Sequence, residues 1–203
     1  MSDRHESTRR TALIVGHPDL AASRLSAALT AEAADIPSVD VRILADLYPG
    51  GVAEAIAEQA ALSRVDDVVL LYPTYWYSMP GLLKNWLDTV MMRGWAYGTG
   101  APGALAGKTL RVVTTTGGSE TGYRPGELHS YEYDTILAPL RATAHRLGMR
   151  SRAPLVVHGV RDIDDEMLTE LSHHFGEVLS GRAEPDVRPA NEAAVELETM
   201  VLR

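Results

Sequence analysis

The sequence contains no cysteine. That absence excludes disulfides, thiolate metal sites and cysteine nucleophiles together. Phenylalanine is nearly missing as well, with one residue against eight tyrosines and three tryptophans. A set of rings chosen for packing alone would be richer in Phe, because Tyr and Trp carry polar atoms that need partners. No apolar run approaches the eighteen or so residues of a membrane span. The opening MSDRHESTRR lacks the apolar centre of a signal peptide. Positive charge is in deficit, 19 Lys and Arg against 27 Asp and Glu, a net of -8. Phosphate backbones and anionic membrane surfaces would repel such a chain, so no nucleic-acid partner is expected. What remains is an ordinary globular composition over 203 residues, 45% apolar and 23% charged. That is enough for one well-packed domain, expected to be soluble and cytoplasmic.

Short apolar runs alternate with amphipathic stretches. Strands are expected at 11–16, 39–44, 67–72, 108–115 and 153–158, and helices at 23–34, 52–63, 82–92, 133–147 and 164–180. Continuous apolar strands alternating with helices predict an α/β domain, a doubly wound sheet of five parallel strands with helices on both faces. The expected organisation is a frayed tail over 1–10, a domain over 11–182, and a loose tail over 183–203 with a short helix at 192–202. His173 and His174 fall on successive positions of the last full helix and do not form a metal pair; no metal is expected.

Ligands of such sheets lie beyond the carboxyl ends of the strands. Three loops therefore matter. The first, GHPDLAASRLS, joins a strand to a helix start, where free N–H groups attract anions. His17, Ser23 and Ser26 can add donors there; the same residues also suit a loop-carbonyl partner and a helix N-cap. Neither the glycine fingerprint of dinucleotide sites nor the NTPase phosphate loop is present. The second loop, PTYWYSMP, puts Tyr75, Trp76 and Tyr77 in succession after a buried strand. Alternation cannot bury all three, so at least one ring is expected to border a flat ligand or a subunit contact. The third loop, TTTGGSETGY, lets the backbone approach a ligand at Gly117 and Gly118, with Tyr123 and His129 as polar groups nearby. Ten of the twelve aromatic residues lie between Tyr72 and Tyr133.

The segments HPDLAAS, PTYWYSMPGLLKNWLDTVMMRGWAYG, LAGKTLRVVTTTGG and LAPLRATAHRLGM occur in that order. Together they resemble the flavodoxin-like NAD(P)H:quinone oxidoreductases, nearest the bacterial ancillary NAD(P)H oxidoreductases of glutathione-regulated potassium efflux. The resemblance implies a flavodoxin-like fold. It implies His17, Ser23 and Ser26 at the phosphate end of a flavin, although relatives often carry Asn at the third of these positions. It implies Thr74, Tyr75, Trp76 and Tyr77 with Thr115, Thr116, Gly117 and Gly118 around the flavin ring. Tyr123 and His129 match the spacing of the catalytic pair. Trp95 and Tyr97 match residues that line the nicotinamide and quinone pocket at a homodimer interface.

The implied cofactor is FMN, with FAD as the alternative, and NAD(P)H as electron donor. The implied activity is ping-pong two-electron reduction of a quinone-like acceptor, that of an NAD(P)H dehydrogenase (quinone). Arg93, Arg111 and Arg124 are the candidate cations for the anionic nicotinamide. Reduction of azo or nitro compounds and a role as accessory subunit of a potassium efflux transporter are the competing readings. A plain electron-carrying flavodoxin lacks the long helix with GWAYG.

Overall fold

Alternation along the strands decides which side chains face which helical layer. The computed structural model describes residues 9–98 and 100–183. The strands are β1 (Thr11–Val15), β2 (Val39–Ile43), β3 (Asp67–Pro73), β4 (Thr109–Thr115), β5 (Arg150–Ser151) and β6 (Leu155–Val157). The helices are α1 (Arg24–Ala34), α2 (Leu44–Leu47), α3 (Ala55–Ser63), α4 (Gly81–Val90), α5 (Tyr133–Ile136), α6 (Ala138–Arg146) and α7 (Asp165–Leu179). Ala12, Ile14, Val68, Leu70, Tyr72, Leu110 and Val112 point to one face, with Leu83, Trp86 and Leu140 from the helices. Leu13, Val15, Val69, Leu71 and Val113 point to the other, against Leu25, Leu29 and Phe175 of α1 and α7. All strand pairs are parallel, in the order β2-β1-β3-β4-β5, with β6 also on β4. This is the expected doubly wound sheet, covered on both faces. No helix among the described residues is long and apolar enough to cross a membrane.

Two expected elements are broken, both at prolines. The strand expected at 153–158 starts only at Leu155 as β6, and a separate two-residue β5 precedes it; β5 pairs with the start of β4 and β6 with its end. Pro154 between them has no N–H for the ladder. The helix expected over 133–147 ends at Ile136 and restarts at Ala138. Pro139 cannot donate to the carbonyl one turn back, so the helix breaks in front of it. Pro80 is the N-cap of α4 rather than part of its first turn. Arg9 and Arg10, read from sequence as tail, are tied down: Arg9 forks onto Asp67, and the Arg10 N–H donates to Asp66 at 3.0 Å. The C-terminal tail and its helix at 192–202 lie outside the described residues.

One buried charge ties α4 to its neighbours. Glu58 of α3 is fully buried, and its carboxylate accepts from Arg42 of β2, from the Tyr48 hydroxyl and, at 2.9 Å, from Trp86 Nε1 of α4. Burial alone would push the Glu58 carboxyl up; the bonds from Arg42, Tyr48 and Trp86 outweigh it and hold the carboxyl below its ordinary range. The other end of α4 approaches β1 so closely that a Cβ on Gly16 would stand 2.7 Å from that of Leu83.

Candidate functional site

The first loop folds on itself before α1. The Asp19 amide donates to His17 Nδ1 at 3.1 Å, and the Asp19 carboxylate accepts from the Ala22 amide at 3.2 Å. Burial lowers the His17 pKa, with Asp19 pulling the other way. Ser23 is the N-cap of α1, its hydroxyl accepting from the Ser26 amide at 3.2 Å. Ser23 thus serves as the helix N-cap, one of the two roles its position allows. Ser26 is 1% exposed, and its hydroxyl has no hydrogen-bond partner.

The second loop is a tight hairpin turn. The Tyr75 amide donates to the Ser78 carbonyl at 2.9 Å, and the Ser78 amide returns a bond to Tyr75 at 3.1 Å. Trp76 (φ 48°) and Tyr77 (φ 62°) are both left-handed. Such a turn ordinarily selects Asn-Gly; two aromatic residues there cost about 1–2 kcal/mol each. Trp76 is 93% exposed, so no burial offsets that strain. Strain held without packing gain is characteristic of a functional position. The turn is braced below by Thr74, whose hydroxyl bonds Thr114 at 2.9 Å and also meets the Tyr133 hydroxyl. Burial raises the Tyr133 pKa, keeping that phenol a neutral donor.

The third loop faces this turn. The buried Thr115 accepts the Thr74 amide through its carbonyl at 2.7 Å. The Thr116 hydroxyl accepts from the Gly118 amide at 3.2 Å and bonds the Tyr123 hydroxyl at 2.8 Å. Tyr123 is buried and stacks on His129, with ring centroids 4.1 Å apart. His129 Nδ1 lies 3.4 Å from the Tyr77 hydroxyl, while Nε2 is buried without a partner. A Cβ on Gly118 would fall 2.4 Å from that nitrogen and 3.0 Å from the Tyr123 ring. Thus Thr74–Tyr77, Thr115–Gly118, Tyr123 and His129 come together at the carboxyl ends of β3 and β4, where they form a candidate cleft.

Trp95 and Tyr97 do not join that cleft within one chain. Helix α4 has ten residues and leads back towards the start of β4, carrying the chain about 15 Å away. Arg146, at the end of α6, lies over the Tyr97 ring at 4.9 Å. Of the candidate cations, Arg93 packs beside Gly98 on that same turn and Arg111 donates to the Ala153 carbonyl at 3.0 Å. Arg124 alone is near the cleft, lining a cavity of about 300 Å³ behind Tyr123 with Glu120, Tyr133 and His158. A larger cavity, about 530 Å³, opens at the amino ends of the strands between Arg9, Asp67, Thr109 and Arg152, far from these loops.

A family model for the flavodoxin-like fold matches residues 9–178. The chain belongs to that family. It is 37% identical over 167 residues to the glutathione-regulated potassium-efflux system ancillary protein KefF of Klebsiella pneumoniae (strain 342), covering 82% of this chain and 93% of the relative. Among solved structures, a thermophilic tryptophan halogenase from Streptomycin violaceusniger is 32% identical, with a TM-score of 0.78 over 83% of this chain and 97% of that one. An NADPH-quinone reductase from P. pentosaceus is 29% identical (TM-score 0.74, 83% and 96% covered). General stress protein 14 of Treponema denticola, solved with FMN, is 26% identical (TM-score 0.76, 85% and 97% covered).

The candidate cleft of this flavodoxin-like chain joins exposed rings to a glycine backbone. It has an exposed ring turn, glycines at 117 and 118, and a buried, unpartnered His129 Nε2 packed behind Gly118. The turn gives a direct test. Trp76→Asn suits the left-handed backbone and removes no buried contact, so stability should hold or rise by up to about 1 kcal/mol. FMN affinity should fall roughly tenfold, the upper end of what one aromatic stack contributes. Thermal melts and fluorescence-quenching titrations with FMN measure both. Unchanged affinity would make the strained turn purely structural.

Proposed function

We propose that the chain is a flavin-dependent NAD(P)H oxidoreductase that reduces quinone-like acceptors by ping-pong two-electron transfer. FMN would occupy the cleft, with its phosphate end at His17, Ser23 and the start of α1. The observation that carries this reading is the meeting of the exposed Tyr75–Tyr77 turn with the glycine loop at the carboxyl ends of β3 and β4, where His129 and Tyr123 pack against Gly118. The FMN-bound Treponema denticola structure and the NADPH-quinone reductase from P. pentosaceus support it. The halogenase of the same fold does not oppose it, because fold alone assigns no reaction. Bound flavin would supply the electron-transfer chemistry.

The protein's own groups would position and polarise. The Tyr75–Ser78 turn would border the ring face. When the Tyr77 hydroxyl donates to His129 Nδ1, the His129 proton resides on Nε2, the atom without a protein partner. His129 is then a donor, held in place by the Tyr123 ring. Thr116 fixes the Tyr123 phenol. Trp95 and Tyr97 would complete the pocket only from a second copy, in a homodimer.

Purified protein should bind FMN, turn yellow, and oxidise NADH or NADPH when menadione is added. Sedimentation should show a dimer. A chain that neither binds FMN nor oxidises either nucleotide would refute this reading. The likeness to KefF supports a second reading, an accessory role on a potassium efflux transporter. Co-purification with a membrane transporter and activation of its flux would favour that role.

A further inference from the structure

The wall of the cleft includes a cation that the three-loop reading passed over. The segment after β6 is zipped to the glycine loop. The Thr116 amide donates to the Val157 carbonyl at 2.9 Å, Val160 returns a bond to Thr116 at 3.1 Å, and Gly159 donates to the Gly118 carbonyl at 3.1 Å. His158 also bonds the Gly118 backbone, and burial lowers its pKa, so the imidazole stays neutral. The next turn is closed by the Asp162 amide on the Gly159 carbonyl at 3.0 Å. This fixes the backbone of Arg161, whose guanidinium lies 3.4–3.6 Å from where a Cβ on Gly117 would stand. No carboxylate among the described residues pairs with it.

We propose that Arg161 is the positioning residue for negative charge at the cleft wall, holding the charge of the reduced flavin over Gly117. The inference rests on the flavin reading above and deepens it. A flavin ring has one polar edge, the pyrimidine N1–C2 carbonyl side, and one apolar end. The glycine wall, with Arg161 beside it, is the polar side of the cleft, and the aromatic turn borders the ring face. Taking up a hydride adds two electrons and one proton to the ring, which leaves one negative charge on the pyrimidine edge. A planar guanidinium meets that charge with paired donors. In a chain of net charge -8, a local cation is what keeps the reduced form bound. Glu120 and Arg124 are the charged groups lining the cavity beside this wall, Asp162 follows Arg161 in the turn, and His129 and His158 are its imidazoles.

The test uses the FMN-loaded protein and its Arg161→Gln and Arg161→Lys variants. Oxidised FMN affinity is read by fluorescence quenching, and the two-electron midpoint potential by titration against a reference dye. Arg161→Gln should bind oxidised FMN within about twofold of wild type and bind reduced FMN roughly tenfold more weakly. The midpoint would then fall by about 30 mV. Arg161→Lys should recover most of that shift, since it restores the charge. An unchanged midpoint in Arg161→Gln overturns the proposal while leaving the flavin reading intact. A rise in KM for NADPH with the midpoint unchanged also overturns it, by assigning Arg161 to the nucleotide phosphates. Wild-type protein that takes up no FMN overturns the flavin reading and the proposal together.

Discussion

Replacing Glu58 with alanine should lower stability by about 3–5 kcal/mol, because it removes the acceptor shared by the half-buried Arg42 guanidinium, the Tyr48 hydroxyl and the buried Trp86 Nε1. Arg42 would lose the carboxylate it bonds at 3.0 Å, and the Tyr48 hydroxyl and Trp86 Nε1 would lose their acceptor. Against a total of about 5–15 kcal/mol, that is a large fraction. The melting temperature should drop by about 6–20 °C at the usual 2–4 °C per kcal/mol for this size. The double variant Arg42→Met with Glu58→Leu should recover much of the loss, since an apolar pair leaves no charge uncompensated. Because the folded carboxyl is held below its ordinary range, its contribution is complete above about pH 4.3. It fades as pH falls through the lower folded value. Glu58→Ala should therefore show a weaker acid-side loss of stability than wild type. Denaturation of all three proteins from pH 3 to 7 measures this. A Glu58→Ala midpoint within experimental error of wild type would mean the network contributes nothing net.

Gly118→Val should remove FMN binding. Even the first carbon of the new side chain would stand 2.4 Å from His129 Nε2 and 3.0 Å from the Tyr123 ring. The neighbours have little freedom to yield. Tyr123 is anchored through Thr116, and the His129 amide is bonded to the Gly122 carbonyl at 3.0 Å. Overpacking of this kind costs about 1–3 kcal/mol in stability. Displacing His129 and Tyr123 would also disturb the residues beside the glycine loop, so FMN affinity should fall at least about a hundredfold, or 2.7 kcal/mol. Gly117→Ala is the contrast. Its Cβ would sit in ordinary contact with the flexible end of Arg161, and stability should change by less than about 0.5 kcal/mol. Quenching titrations and melts on both variants decide the matter. If Gly118→Val bound FMN like wild type, the cleft would not be the flavin site.

The layers of the fold were legible because burial follows alternation: Ala12 and Ile14 face one side of the sheet, and Leu13 and Val15 the other. The two breaks were less visible. A proline in an apolar run marks a weak point without saying whether the run ends or resumes, as it does around Pro154 and Pro139. The site was legible as three loops, because sheet geometry brings the ends of β1, β3 and β4 together. The inner arrangement was not. Nothing in a Tyr-Trp-Tyr run announces left-handed backbone, which local sequence normally signals with Asn and Gly. The contact between Gly118 and His129 depends on a loop that doubles back. Arg161 was missed because it follows the edge strand, outside the three loops that the ligand rule singles out. The distance of Trp95 and Tyr97 from the cleft could have been read from the length of α4 multiplied by its rise per residue.

The interrupted fifth strand also bears on self-association. An open sheet edge is a template for aberrant strand addition between copies. Here one edge is split in two by the 152–154 stretch, so it offers no continuous ladder. The other edge, β2, carries the exposed Asp40 beside its centre, a charge that discourages an incoming strand. Copies that meet are steered toward their helical faces and loops and away from fibre-like stacking. The proline that spoils a regular strand therefore acts as a guard against misassembly at high concentration.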